Sequence, residues 1–125
     1  FQPYDQYRAL LRASDVHVYL TAPFVLSWSM LEAMCCGCLL VASNTEPVRE
    51  VVQDGVNGFL ADFWDHEALA RRVVACLANR AKLDQVRANA RKTVLARYAL
   101  HKLLPRHVAL LKAACYLNQA QFPKR

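Results

Sequence analysis

Residues 30–43 read MLEAMCCGCLLVAS. Up to Cys36 the apolar residues suit a helix, and Gly37 stands where a helix stops. The run that follows, CLLVAS, is apolar almost throughout, as a strand covered on both faces requires. Helix, glycine and buried strand together make part of a parallel α/β unit, and the flanking sequence extends it. Upstream, YDQYRALLRASD (4–15) predicts a helix with Tyr7, Leu10 and Leu11 at helical spacing, VHVYLT (16–21) a short buried strand, and APFVLSWS (22–29) a loop. Downstream, NTEPVREVVQ (44–53) predicts a turn and a short helix, and DGVNGFLAD (54–62) a turn and a third strand. DHEALARRVVACLANR (65–80) predicts a helix capped by Asp65, with Leu69, Val73 and Leu77 on one face. Two more helices are expected over about 80–98 and 103–118, with Pro105 near the start of the second. Strands alternating with helices imply an α/β fold, a parallel sheet flanked by helices. Three strands are few for such a sheet. The chain also opens on FQPYDQYRALL with no methionine, so it is expected to be part of a longer protein.

Composition narrows the class. With 55% apolar and 21% charged residues in 125, the chain fits one globular domain at most. No apolar run approaches the ~20 residues of a membrane span. Charge is unevenly spread. Residues 1–62 carry three basic and seven acidic side chains, residues 63–125 thirteen basic and three acidic. The basic half has two readings. One is a solvated helical face. The other is a surface, with Arg80, Arg87, Arg91 and Lys92, for an anionic membrane or nucleic acid. No aromatic platform or groove-reading motif supports nucleic acid.

Three cysteines in four positions raise the question of a metal or redox site. Cys35 and Cys38 form a CxxC, but at a helix C-terminus, where the helix dipole disfavours a thiolate. Zinc requires four ligands, usually as two pairs, and Cys76 and Cys115 stand alone. The cysteines read as small, reduced, buried residues, and no metal is expected.

Two groups remain that can carry chemistry. Ser27, Trp28, Ser29 and Glu32 lie where a strand hands over to a helix. Ligands of parallel sheets bind there, and unpaired helix N–H groups face anions. Ser29-x-x-Glu32 is equally a capping box that needs no ligand. Asn44, Thr45 and Glu46 follow the second strand at the same sheet end. They suit either hydrogen bonds to a sugar or phosphate, or the capping of a helix with Pro47 in its first turn. His17 reads as structural, and no Ser–His–Asp or paired-carboxylate arrangement is present.

SMLEAMCCGCLLVAS followed by NTEPVREVVQDGVNGFLADFWDHEALARRV resembles the C-terminal nucleotide-sugar domain of retaining GT-B glycosyltransferases of family four, glycosyl transferases group one. Those proteins carry LEAMA-G-PVVAS, PE-V-DG-NGFLV and D-EALA in this order. The likeness runs from about Tyr4 to Leu77 and weakens beyond. It implies that residues 1–125 are the second half of that domain, a parallel Rossmann-like sheet flanked by helices, within an enzyme that transfers a sugar from a nucleotide-sugar donor with retention. In the family's E-x7-E pattern the second glutamate, which contacts ribose, matches Glu32. The backbone that binds diphosphate matches Val25, Leu26, Ser27 and Trp28, with Ser29 next to it. The first glutamate, which contacts the donor sugar, matches Phe24 and is therefore missing. Phe24, Val25, Asn44, Thr45 and Glu46 would lie near the donor sugar. The resemblance implies no cofactor besides the donor, a cytoplasmic enzyme working with an N-terminal acceptor domain, and an inactive isolated fragment. The basic helices allow peripheral membrane contact. The alternative class is a nonenzymatic module that uses those helices to bind an anionic membrane or nucleic acid. The uncovered strand VHVYL predicts a homodimer for the fragment by itself.

Overall fold

A computed structural model describes residues 2–22 and 26–121, with side chains through Tyr116. Helix α1 (Tyr4–Ala13) leads into strand β1 (Val16–Tyr19), α2 (Trp28–Cys36), β2 (Leu39–Ser43), the single turn α3 (Glu46–Arg49), β3 (Phe59–Ala61) and α4 (His66–Ala78). A 3-10 turn at Arg80–Lys82 and α5 (Asp84–Arg97) follow, then α6 (Leu100–Gln121). The three strands form one parallel sheet in the order β1-β2-β3, with Val16 beside Leu39, Tyr19 beside Ala42, and Ser43 beside Ala61. The expected α/β fold is therefore present. Its alternation of strand and helix follows the apolar runs that define it.

All five residues of β2 are buried, as a strand paired on both sides and covered on both faces must be. On one face Leu39 and Val41 meet Cys76 of α4 and Val86 of α5, with Val16, Phe59, Leu69, Val73 and Leu83 around them. Leu77, expected on this face, is exposed, and Cys76 takes the inward position one residue earlier. A second cluster joins Leu11 of α1, Ala33 of α2 and Cys38, with Tyr7 and Cys36 against it. Leu10, one residue from Leu11, points to solvent. β1 pairs on one side only among the described residues, so the strand expected to be buried is half-covered: Tyr19 is buried and Val18 exposed.

The stops and starts are chemical. Gly37 takes φ +85°, its N–H bonds the Met34 carbonyl and the Cys38 N–H bonds that of Ala33, which closes α2. Asp65 accepts from the Ala68 N–H at 2.8 Å and caps α4 as expected. Asn57, which the sequence did not single out, is buried and ties the turn before β3 together. Its Oδ1 accepts from the Gln53 N–H at 2.7 Å, and its Nδ2 donates to the Val51 carbonyl at 3.0 Å and to Thr93 Oγ1 at 3.1 Å. Gly58 beside it has no room for a side chain, since a Cβ would meet Val52 Cγ1 at 2.9 Å.

Residues 1–94 form one compact unit and residues 95–125 a second, the end of α5 with α6. α6 begins three residues earlier than the sequence suggested, which places Pro105 inside the helix. Proline lacks the N–H that would bond the His101 carbonyl, a cost the helix bears in its second turn. No described helix is long and apolar enough to cross a membrane.

Candidate functional site

Because the strands are parallel, all three end on one side of the sheet. Thr21 leaves β1 there, Asn44 leaves β2, and Asp62 leaves β3. Ser43, fully buried, fixes the first of these exits: its Oγ accepts from the Thr21 N–H at 3.1 Å and donates to the Thr21 carbonyl at 3.0 Å. Further along the same loop the Tyr19 hydroxyl accepts from the Ser27 N–H at 2.8 Å. The loop that precedes α2 is thus pinned at both ends by side chains of the sheet.

Ser27 is the N-cap of α2, and its Oγ accepts from the Ser29 N–H at 3.3 Å. The capping box expected at Ser29 is therefore not formed, because the helix begins two residues earlier and Ser29 lies inside its first turn. Two of the amides expected to face a diphosphate are already engaged, Ser27 with Tyr19 and Ser29 with Ser27. Trp28, the first helical residue, makes no such bond among the described residues, and its ring is exposed. Leu26 is half-buried. Phe24 and Val25 lie outside the described residues.

Glu32, freed from a capping role, sits one turn into α2 and is half-buried. Its Oε1 accepts a hydrogen bond from the Tyr4 hydroxyl at 2.9 Å. That bond, with burial behind it, raises the Tyr4 phenol above its usual range; burial first, and then the charge of Glu32, raise that of Tyr7. Glu32 forms no ion pair among the described residues. Arg8, beside the Tyr4 ring, pairs with Asp5 at 3.4 Å, and Arg91 donates to the Cys35 carbonyl.

Asn44, Thr45 and Glu46 come together at the end of β2, beside β3, through the bond from the Asn44 N–H to the Ala61 carbonyl at 2.7 Å. Asn44 is exposed, and its carbonyl and Oδ1 both accept from Arg49 Nη1. Thr45 stands at the N-cap of α3 but makes no capping bond, which corrects the capping expectation; its Oγ1 is buried without a partner among the described residues. Glu46 opens α3 and faces solvent.

The other candidates fall away from this end. Cys38 is buried and its thiol donates to the Leu11 carbonyl at 2.9 Å, while Cys76 lies in the core. Burial raises both thiols, so they resist forming the thiolates that metal or redox chemistry uses. Burial lowers His17, a structural strand residue. A concavity of about 330 Å³ lined by Phe59, Arg72, Cys76 and Lys82 opens at the start of β3, the opposite end of that strand.

Residues 1–93 match the profile of the glycosyl transferases group 1. The chain belongs to that family. Among curated relatives, an uncharacterized glycosyltransferase of Methanocaldococcus jannaschii is 39% identical over 72 residues, 57% of this chain and 18% of that protein. The N-acetyl-alpha-D-glucosaminyl L-malate synthase of Bacillus anthracis is 24% identical over 82% of this chain and 27% of its own length. Among solved structures, HepE of Anabaena in complex with UDP-glucose superposes with a TM-score of 0.78 at 27% identity, over 83% of this chain and 29% of HepE. Sucrose-phosphate synthase of Thermosynechococcus elongatus gives 0.78 at 26%, over 90% and 28%. The chain thus spans less than a third of each of these relatives and structural neighbours. Family membership disfavours the nonenzymatic module as the function of the chain.

Proposed function

We propose that this chain is the donor-nucleotide half of the C-terminal domain of a retaining glycosyltransferase. The observation that carries the reading is the gathering of Glu32, the α2 N-terminus and Asn44–Glu46 at the carboxyl end of one parallel sheet. HepE, a similar structure, was solved with UDP, with UDP-glucose, and with UDP and glucose. In this reading the donor's ribose hydroxyls donate to Glu32, and its diphosphate meets the start of α2, chiefly at Trp28. The sugar lies toward Phe24, Val25, Asn44, Thr45 and Glu46. The bond between the anomeric carbon and the diphosphate oxygen breaks, and the acceptor oxygen bonds to the same face as its proton passes to the leaving diphosphate. The α2 dipole and amides stabilise the charge that develops on the leaving diphosphate.

Glu32→Gln tests the reading. Charge-assisted hydrogen bonds contribute roughly 1.5–3 kcal/mol, so the variant of the full-length gene product should bind nucleoside diphosphate about tenfold more weakly or worse. Calorimetry with UDP, GDP and ADP in turn measures this. An unchanged affinity for the tightest of the three, in a folded variant, refutes the role of Glu32.

The same reading gives two expectations for residues 1–125 prepared alone. Catalysis needs donor and acceptor held in register, so this chain transfers no sugar. The free edge of β1, with Val18 exposed, pairs two chains into a homodimer at micromolar concentration. Light scattering and a transfer assay on one preparation check both; a monomer with intact circular dichroism, or measurable transfer, counts against them.

A further inference from the structure

We infer that Tyr4 is a positioning residue for the donor nucleoside: its phenol holds the Glu32 carboxylate so that the remaining acceptor sites meet the ribose diol. The inference rests on the assignment of Glu32 to ribose and adds a residue to that site.

The geometry comes from the order of the elements. α1 ends at Ala13 and β1 begins at Val16, at the amino end of the sheet, so the start of α1 lies at the carboxyl end. Tyr4 is the first residue of α1, and it meets Glu32 across 28 residues of sequence. A carboxylate offers about four lone-pair directions. The Tyr4 hydroxyl uses one of them, on Oε1, and the Tyr7 phenol also meets the carboxylate, which leaves about two directions for two vicinal hydroxyls. No cation among the described residues competes for these positions. A glutamate on a helix otherwise loses rotamer freedom when it binds, and a partner that holds it beforehand removes part of that cost.

The contact is not needed to join α1 to α2. Leu11, Tyr7, Ala33, Cys36 and Cys38 already pack the two helices together. Tyr4 itself is 59% exposed, its ring tilted against Tyr7 at 6.1 Å with the Arg8 guanidinium 6.0 Å from its centre. Tyr4→Phe keeps these ring contacts and removes only the hydroxyl. Both phenols stay protonated at neutral pH, so the hydroxyl remains a donor to the carboxylate.

The test is a thermodynamic cycle on the full-length gene product, with the tightest of UDP, GDP and ADP and its 2′,3′-dideoxy analogue as probes. Tyr4→Phe should weaken binding of the ribonucleotide about fivefold and leave the dideoxy analogue within about twofold. Added to Glu32→Gln, Tyr4→Phe should cost nothing further. Equal losses on both probes mean a structural role and overturn the inference, as does tighter binding, which would make the phenol a competitor of ribose. If Glu32→Gln weakens ribonucleotide binding and Tyr4→Phe does not, the inference about Tyr4 fails and the Glu32 assignment stands. If neither variant changes binding, or no diphosphate binds, both fall.

Discussion

Replacing Asn57 with alanine is expected to destabilise the chain by about 3 kcal/mol. The amide is buried and each of its polar atoms is used: Oδ1 on the Gln53 N–H, Nδ2 on the Val51 carbonyl and Thr93 Oγ1. Alanine removes all three bonds and leaves backbone groups without partners where water enters poorly. An unsatisfied buried group costs about 1–3 kcal/mol, more than the net gain of the bond it once made. Asn57→Asp separates the two halves of the amide, since it keeps the acceptor for Gln53 and loses the donor to Val51. It also brings a charge into a buried site, so it should not rescue stability. Urea unfolding at fixed protein concentration measures the effect as a lower midpoint with an unchanged slope. A loss below about 1 kcal/mol for the alanine variant would show that the turn before β3 holds without its amide.

Leu39→Ala should cost a similar amount, about 3 kcal/mol, by a different route. Leu39 is fully buried at the start of the central strand, between α4 and α5, against Val41, Cys76 and Val86. Truncation removes favourable burial and leaves a cavity that a doubly covered strand cannot collapse to fill. Leu10→Ala is the control. That side chain is 67% exposed, and the change should stay within about 0.5 kcal/mol. If the two variants unfold at the same denaturant concentration, the division of the core described above is wrong.

The contrast between Leu10 and Leu11 also marks how far the sequence could be read. Apolar periodicity located α1, α2, α4 and the strands because burial dictates it, and Gly37 and Asp65 announced their roles through local backbone chemistry. Periodicity could not say whether Leu10 or Leu11 faces inward, nor that Cys76 would displace Leu77, because the apolar arc of a helix is wider than the contact it makes. At α2 the capping-box pattern pointed to Ser29, whereas the helix starts two residues earlier with Ser27 as its cap. At α6 the sequence put Pro105 near a helix start, but the helix extends back to Leu100. The candidate site was legible as a place, the carboxyl end of a parallel sheet, while Glu32 enters it through the resemblance and the function proposed on it. Tyr4 on Glu32, and Asn57 between Val51 and Thr93, were not. Both are tertiary contacts, and Tyr4 in the sequence is one apolar-faced helix residue among several.

The pinning of the loop before α2 has a consequence for how such a protein diversifies. Thr21 is held by the hydroxyl of Ser43 and Ser27 by that of Tyr19, both side chains of neighbouring strands. Both anchors lie outside positions 22–26. The point of departure and the point of arrival of this loop are therefore fixed by the sheet. On the function proposed above, that stretch is where substitution would alter which sugar is accepted without a compensating change in the sheet.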